Sequence, residues 1–459
     1  MDLNLDLTKG RILKVLLLFA IPICISSILQ NLYSSVDAYI IAKYLGEDAF
    51  AAIGASAPIN DLLIGFALGV TSGMSIIISR AKAKNDEVML KKSVAISIVV
   101  GLIITLLVTV LSIAFMRPLL SMLNTPEHLM EECYKYIFVI TSCAVVLFAY
   151  NLFSSILRAI GNSTMPLVFL AIASFLNIVL DILFVKGLSM GVDGAAVATV
   201  LAQLISAILC AIYIVVKVKE IVPDKKSFKL DKELTKEMIA QGLSMGLMGS
   251  VVSLGTLILQ YGINSLSTEP IIIAAHTAAR KITGICLIPF GALSISMATF
   301  VSQNKGAGKY KRIREGVKQA NILGIICTVA ITIAMYVGSR SLISIIASTN
   351  NEEIISLGSK YLMISTPFYA VLTFLLNLRN ALQGLGAKVV PVISSVIELV
   401  GKILFTVIFI PKLGYFGVMI CEPVIWCFMT AQLVYSFYTH DDIKKKSRFN
   451  MEKIEKVEA

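Results

Sequence analysis

The feature that most constrains this chain is the recurrence of apolar stretches long enough to cross a bilayer, separated by short links carrying charge, glycine or proline. A spanning helix needs about 20 mostly apolar residues, because its backbone polar groups must bond within the helix when no water is at hand. Twelve such stretches can be counted, with cores near 12–36, 50–78, 92–116, 131–155, 165–185, 192–218, 237–266, 270–300, 316–337, 354–378, 388–410 and 414–438. Composition agrees: 15% of residues are charged, against about 25% in a soluble domain. The pattern predicts an all-α polytopic membrane protein. Lys9, Arg11 and Lys14 precede the first stretch, but that run is too long for a signal peptide and has no small-residue cleavage site, so it reads as an uncleaved first span.

The basic residues orient the spans. With an intracellular start, 29 Lys and Arg fall on the inside, 7 on the outside and 4 within spans, together the 40 of the sequence. Such asymmetry places both termini in the cytoplasm of a multi-pass protein of the cytoplasmic membrane. The net charge of +11 lies mainly in the links, where anionic lipid headgroups are the natural partner, so nucleic-acid binding is not implied. The eight cysteines show no metal-like pairing and read as free thiols acting as small hydrophobes.

The chain also repeats. AAIGASAPI at 51–59 and AAHTAARKI at 274–282 are 223 apart (274 − 51), as are Ser79 and Ser302. LRAIGNSTMP at 157–166 matches LQGLGAKVVP at 382–391 at an offset of 225 (382 − 157), and GVDG at 191 and GYFG at 414 return to 223 (414 − 191). A duplicated six-span unit follows. It predicts an N-terminal bundle over 1–218, a basic cytoplasmic linker over 219–236, a C-terminal bundle over 237–440 and a basic cytoplasmic tail over 441–459. An even number of spans per repeat gives both halves one orientation, with pseudo-two-fold symmetry about the membrane normal and a substrate cavity expected between them.

Polar residues inside the spans are the candidate site. Ser26, Ser27, Gln30, Tyr33, Ser34 and Asp37 recur every three to four positions, which puts them on one face of the first helix. In the fifth span, Ser174, Asn177 and Asp181 form a second stripe. At 1.5 Å per residue Asp181 lies about 24 Å along its span, and Asp37 also falls in the outer half, so the stripes can meet in one pocket. An isolated Asp at mid-membrane costs about 2.5 to 3.5 kcal/mol on insertion scales, which marks a function or a bonded helix contact. A carboxylate so placed can exchange a proton near neutral pH, and two carboxylates with an Asn oxygen also suit Na⁺. The second half does not repeat this pocket: Gln260 stands where the 223 offset projects Asp37, with Asn264 one turn on. Lys402 and Thr406 stand where the 225 offset projects Asn177 and Asp181. Glu398 and Lys402 are an i, i+4 pair that can neutralise itself. Arg280, Lys281 and Arg379 lie in or near spans, where long basic side chains near helix ends can snorkel to the interface, while Asp61, Glu422 and His276 stay open.

No nucleotide-binding loop is present, since QNKGAGKYKR at 303–312 lacks the G-x-x-x-x-G-K-[ST] spacing, and neither H-E-x-x-H nor G-x-S-x-G occurs. Neither ATP driving nor hydrolytic chemistry is indicated, and no cofactor is implied. The residues do resemble those of the multidrug and toxic compound extrusion (MATE) transporters, most like the bacterial MepA-like branch. The likeness rests on LYSSVDAYIIAKYLGEDAFAAIGASAPI at 32–59, LRAIGNSTMPLVFLAIASFLNIVLDILFV at 157–185 and AAHTAARKITGICLIPFGALSISMATFVSQNKGAGKYKR at 274–312. It implies two six-helix bundles around a V-shaped cavity, and a monomeric antiporter that exports small amphipathic, often cationic compounds in exchange for H⁺ or Na⁺. It also implies a cation site at Asp37, Asn177 and Asp181. Gln30, Tyr33, Ser34, Gln260, Asn264, Glu398 and Lys402 are then candidates for the cavity or its polar network. The sequence departs from the family in having no carboxylate in the seventh or tenth span, and in SRAKAKN after the second span, where the family has Gly-Ala. A flippase for lipid-linked saccharides is the rival within transport, and would want a more cationic cavity than four basic residues within spans provide. A polytopic membrane enzyme or receptor is the rival from another class.

Overall fold

The computed structural model describes residues 4–122, 125–229, 231–266 and 271–444. The expected tail beyond residue 444 lies outside the described residues. All regular structure among the described residues is helical: α1 Ile12–Leu45, α2 Glu47–Ala83, α3 Glu87–Met122, α4 Glu127–Ser142, α5 Ala144–Ala159, α6 Thr164–Asp181, α7 Val192–Lys217, α8 Lys232–Ser265, α9 Ile271–Gly306, α10 Tyr310–Ala347, α11 Glu352–Ser365, α12 Tyr369–Gly384, α13 Val389–Leu404, α14 Ile410–Leu413 and α15 Tyr415–Thr439. Eleven described segments are long and apolar enough to span a membrane, and α4 with α5 makes a twelfth when taken as one broken span. Their outward side chains are apolar. Ile103 and Val337, for example, are 61% and 85% exposed, which lipid explains and water would not.

Two spans expected to be continuous are interrupted. The fourth bends by 49° between α4 and α5, at Cys143, where φ is −100° and ψ is 17°. No proline or glycine announces that break. The tenth passes from α11 to α12 through a 3₁₀ turn, Thr366–Phe368, and Pro367 within it lacks the N–H that would continue the α-helical ladder. The fifth span ends in a π-helical turn, Ile182–Gly187, and the eleventh contains one, Phe405–Phe409, just before α14. These irregularities keep the sequence offset: 405 − 182 and 366 − 143 both equal 223. Gly161 and Gly386, 225 apart, both adopt positive φ, 98° and 84°. The repeat is therefore one of backbone shape as well as of residue pattern.

The chain divides into two compact units, one of residues 1–6 and 21–250 and the other of residues 7–20 and 251–459. The divisions run through helices: α1 changes unit at Ala20–Ile21, beside Pro22, and α8 at Ser250–Val251. Within the first unit α2 and α8 approach closely because small residues face each other. A Cβ on Gly69 would lie 2.4 Å from the Met245 carbonyl oxygen, and one on Gly73 would lie 2.4 Å from that of Gln241. Glycines four apart on one helix let two backbones touch, the small-xxx-small contact of membrane helices. The linker also belongs to this unit. Lys82–Glu220, Lys92–Asp231 and Arg80–Glu237 bridge it and the start of α8 at 2.7, 3.2 and 2.9 Å. Asp231 accepts the Leu234 amide at 3.2 Å as α8 begins. That bond, with Lys92 beside it, holds the Asp231 carboxyl below its usual range.

Candidate cation site in the first unit

The stripe on α1 and the stripe on α6 do meet. Asp181 is fully buried and Asn177 is 2% exposed, while Asp37 is half-buried. The Asp37 and Asp181 carboxyls are near enough to act on each other electrostatically. Five buried polar atoms here have no partner: Asp37 Oδ1, both oxygens of Asp181, and both Oδ1 and Nδ2 of Asn177. Buried polar atoms are ordinarily bonded, so a concentration of orphans at one place marks a site that something else completes. Two carboxyls that face one another can share a proton, which turns one into a donor. The same oxygens with Asn177 Oδ1 suit a small hard cation.

Space adjoins these groups. A cavity of about 100 Å³ is lined by Tyr33, Ser34, Asp37, Asn60, Tyr136, Thr199 and Gln203 among others. A second, of about 60 Å³, is lined by Gln30, Tyr33, Asn151, Ser174, Asn177, Thr199, Gln203 and Ser206 among others. Tyr33 belongs to both walls, and Asp181 lines neither. Volumes of this size admit water or an ion, not a drug. Gln30, Tyr33 and Ser34 are thus placed where the stripe puts them. Asn60 of α2, Tyr136 of α4, and Thr199 and Gln203 of α7 are additions that no periodic stripe signalled.

The second unit answers differently. Gln260 Nε2 donates to Asn264 Oδ1 at 2.9 Å on an exposed face of α8. Lys402 Nζ donates to Glu398 Oε1 at 2.9 Å, and Glu422 of α15 is a second acid 4.0 Å away. Arg280 is paired through Nη1 with both carboxylate oxygens of Glu422 at 3.1 Å, so it pairs within the unit and does not snorkel. Nor does Arg379, which is 9% exposed with Nε and Nη1 buried. A Cβ on Gly255 would come 2.9 Å from Lys402 Cδ; the glycine makes the room for the lysine stem. His276 is packed: its Nδ1 lies 3.3 Å from the Tyr415 hydroxyl and its ring meets Tyr361 and Tyr415 edge to face. Asp61 is exposed and lines neither cavity. None of the eight cysteines, all among the described residues, is in a disulfide, and among the described residues no three His, Cys, Asp or Glu cluster as metal ligands.

Comparison with known proteins bears on the whole chain. The MatE family model matches residues 22–183 and 245–408, two intervals whose starts are 223 apart (245 − 22). The chain is 29% identical to the probable multidrug resistance protein YpnP of Bacillus subtilis, over 90% of this chain and 92% of that one. It is 23% identical to the probable multidrug resistance protein YoeA of the same organism, over 94% of each. Among solved structures, a MATE crystal structure in a bent conformation superposes with a TM-score of 0.89 at 21% identity, covering 98% of this chain and 99% of the other.

Proposed function

Because this chain belongs to the MatE family, and is a membrane transporter rather than an enzyme, we propose that it is a cation-coupled antiporter exporting amphipathic, cationic compounds across the cytoplasmic membrane. Multidrug resistance is in the names of its relatives, and the distribution of Lys and Arg supports cytoplasmic termini. The observation that carries the coupling is the facing pair Asp37 and Asp181, with Asn177 beside it and five buried polar atoms without partners.

In this reading an inward-moving H⁺ bridges the two carboxyls, or an inward-moving Na⁺ is held between them and Asn177 Oδ1. Binding joins α1 to α6 and alters the packing of the helices that line the two cavities. Release of the ion on the other side of the membrane returns the like charges to mutual repulsion. Only the difference in affinity between the two states does work, so the ion must bind one state more tightly.

The test is uptake of a fluorescent lipophilic cation by proteoliposomes under separately imposed pH and Na⁺ gradients, with the unmodified chain, Asp37→Asn and Asp181→Asn. Loss of gradient-driven uptake in both variants, with ungraded exchange retained, is the expected result. Full gradient-driven uptake in both would remove the site from the mechanism. Which gradient drives the unmodified chain identifies the ion.

A further inference from the structure

The eleventh span has two unlike faces. Successive helical residues turn by about 100°, so Val396, Val400 and Leu404 of α13 stand opposite Ser394, Glu398 and Lys402. The charged row is buried and the aliphatic row exposed. On α15, likewise, Glu422 is buried while Val424 and Phe428 are exposed. Between the two exposed rows runs a groove of about 710 Å³, walled by α13, the π-helical turn Phe405–Phe409, α14 and α15, with no polar side chain in its lining. All of it belongs to the second unit.

Glycines set its floor. A Cβ on Gly401 would lie 2.7 Å from Ile425 Cγ1, and one on Gly417 would lie 3.3 Å from Ile410 Cα. The helices therefore touch at two levels, and Phe405 and Ile425, both buried, close the floor between the rims. The Phe405 ring packs on that of Phe409 at 4.8 Å between centroids, while Phe428 on the opposite rim is 66% exposed. The volume falls within the range of about 300 to 1,000 Å³ that small-molecule sites occupy.

The surroundings decide what enters. The rims are apolar and belong to segments long enough to span a membrane, so lipid meets the groove, and an apolar hollow does not hold water. Left empty, its lining would lose dispersion partners. The α15 wall from Ile420 to Phe428 is about 12 Å long, close to the ~15 Å of hydrocarbon that one leaflet contributes. Lipid tails are as apolar as the groove, so burial alone does not favour a bound chain over a free one. The concave wall and a headgroup contact must supply the preference. Lys412 is placed for the latter: it adjoins the wall residue Leu413 in the short link between the last two spans. It is exposed, and among the described residues it makes no ion pair.

We propose that this groove is a binding site for one acyl chain of an anionic phospholipid, whose headgroup is held at Lys412. The inference rests on the chain spanning a membrane and not on the Asp37 pocket.

The test titrates the delipidated full chain in detergent with phosphatidylglycerol carrying brominated chains, which quench a nearby indole. The sequence has a single tryptophan, so Trp426→Phe gives a dark background. Leu404→Trp then reports from the groove, and Val337→Trp from the open lipid face of α10. Quenching at 404 should saturate at one lipid per chain, whereas quenching at 337 should rise without saturating. Val400→Phe with Val424→Phe, which fills the groove, should abolish the saturable part. Lys412→Gln should weaken it on the order of fivefold, the effect of one basic residue at a membrane surface, and remove any preference over phosphatidylcholine. Native mass spectrometry of the unmodified chain, which needs no tryptophan variant, should show one retained phospholipid that the filled variant lacks. Unsaturable quenching at both positions, or no retained lipid, would overturn the site in favour of ordinary annular contact. Saturation by a brominated lipophilic cation where the lipid fails would overturn it in favour of a substrate groove.

Discussion

The two halves share a backbone plan and differ in what they do with buried charge. In the first, Asp37 and Asp181 face each other with no base beside them and with unpartnered oxygens. In the second, Glu398 and Glu422 are each paired with a base, Lys402 or Arg280. A buried charge that is paired has its desolvation offset and resists change, whereas an unpaired acid can lower its cost only by taking up a cation. The comparison teaches that duplication supplied two similar scaffolds and that side-chain substitution left one with a facing acid pair, on which the proposed coupling rests, and the other with paired charges.

The largest expected effect is on the half with the facing acid pair. Asp37→Asn or Asp181→Asn should reduce gradient-driven uptake by at least about 100-fold, the loss of ~2.7 kcal/mol of coupling at 1.36 kcal/mol per tenfold, while leaving the thermal midpoint in detergent nearly unchanged. Should either variant lower the midpoint strongly and keep its coupling, the contrast between the halves collapses.

Next comes the half with paired charges. Lys402→Met strands Glu398 in a buried site and should destabilise the protein by about 3 to 5 kcal/mol, read as a fall in the midpoint of unfolding. The double variant Glu398→Gln, Lys402→Met should recover most of that loss with uptake intact. If Lys402→Met instead keeps its stability and abolishes coupling, the second half is part of the ion path.

A third prediction concerns the shared scaffold. Gly73→Leu forces a side chain against the Gln241 carbonyl and should cost about 1 to 3 kcal/mol or more through overpacking. Gly46→Ala supplies the control: no atom lies within 4 Å of a Cβ there, though its φ of 92° adds local strain. The smallest effect belongs to Asp231→Asn at the start of α8. The folded-state carboxyl titrates below its usual range because it accepts the Leu234 amide and faces Lys92. Its contribution is therefore present above the usual carboxylate range and lost as pH falls through the lowered folded value. The variant should lose that small contribution at neutral pH, leave stability at low pH unchanged, and so flatten the acid limb slightly in a pH series of unfolding midpoints.

Much of this was legible in one dimension. Hydropathy runs located the spans, because a bilayer imposes length and apolarity on any segment that crosses it. The stripes through Asp37 and through Asn177 and Asp181 were legible because helical periodicity assigns each residue a face. Other features were not. The bend at Cys143 has no proline or glycine to mark it. Asn60, Tyr136, Thr199 and Gln203 reach the cavities from three further helices, and no local spacing connects them. Arg280 and Glu422 are 142 residues apart, so neither could be assigned its partner from its neighbours in sequence.

What the sequence determined by itself is the set of helices, their repeat and the face each polar residue occupies, since those follow from local periodicity and from the solvent the chain must fit. What only the tertiary structure decided is which buried charge meets which. That Asp37 meets another acid and that Glu422 meets Arg280 depend on contacts between distant segments. A side chain's charge state and mobility are set by those neighbours, and nothing within a few residues of it fixes them.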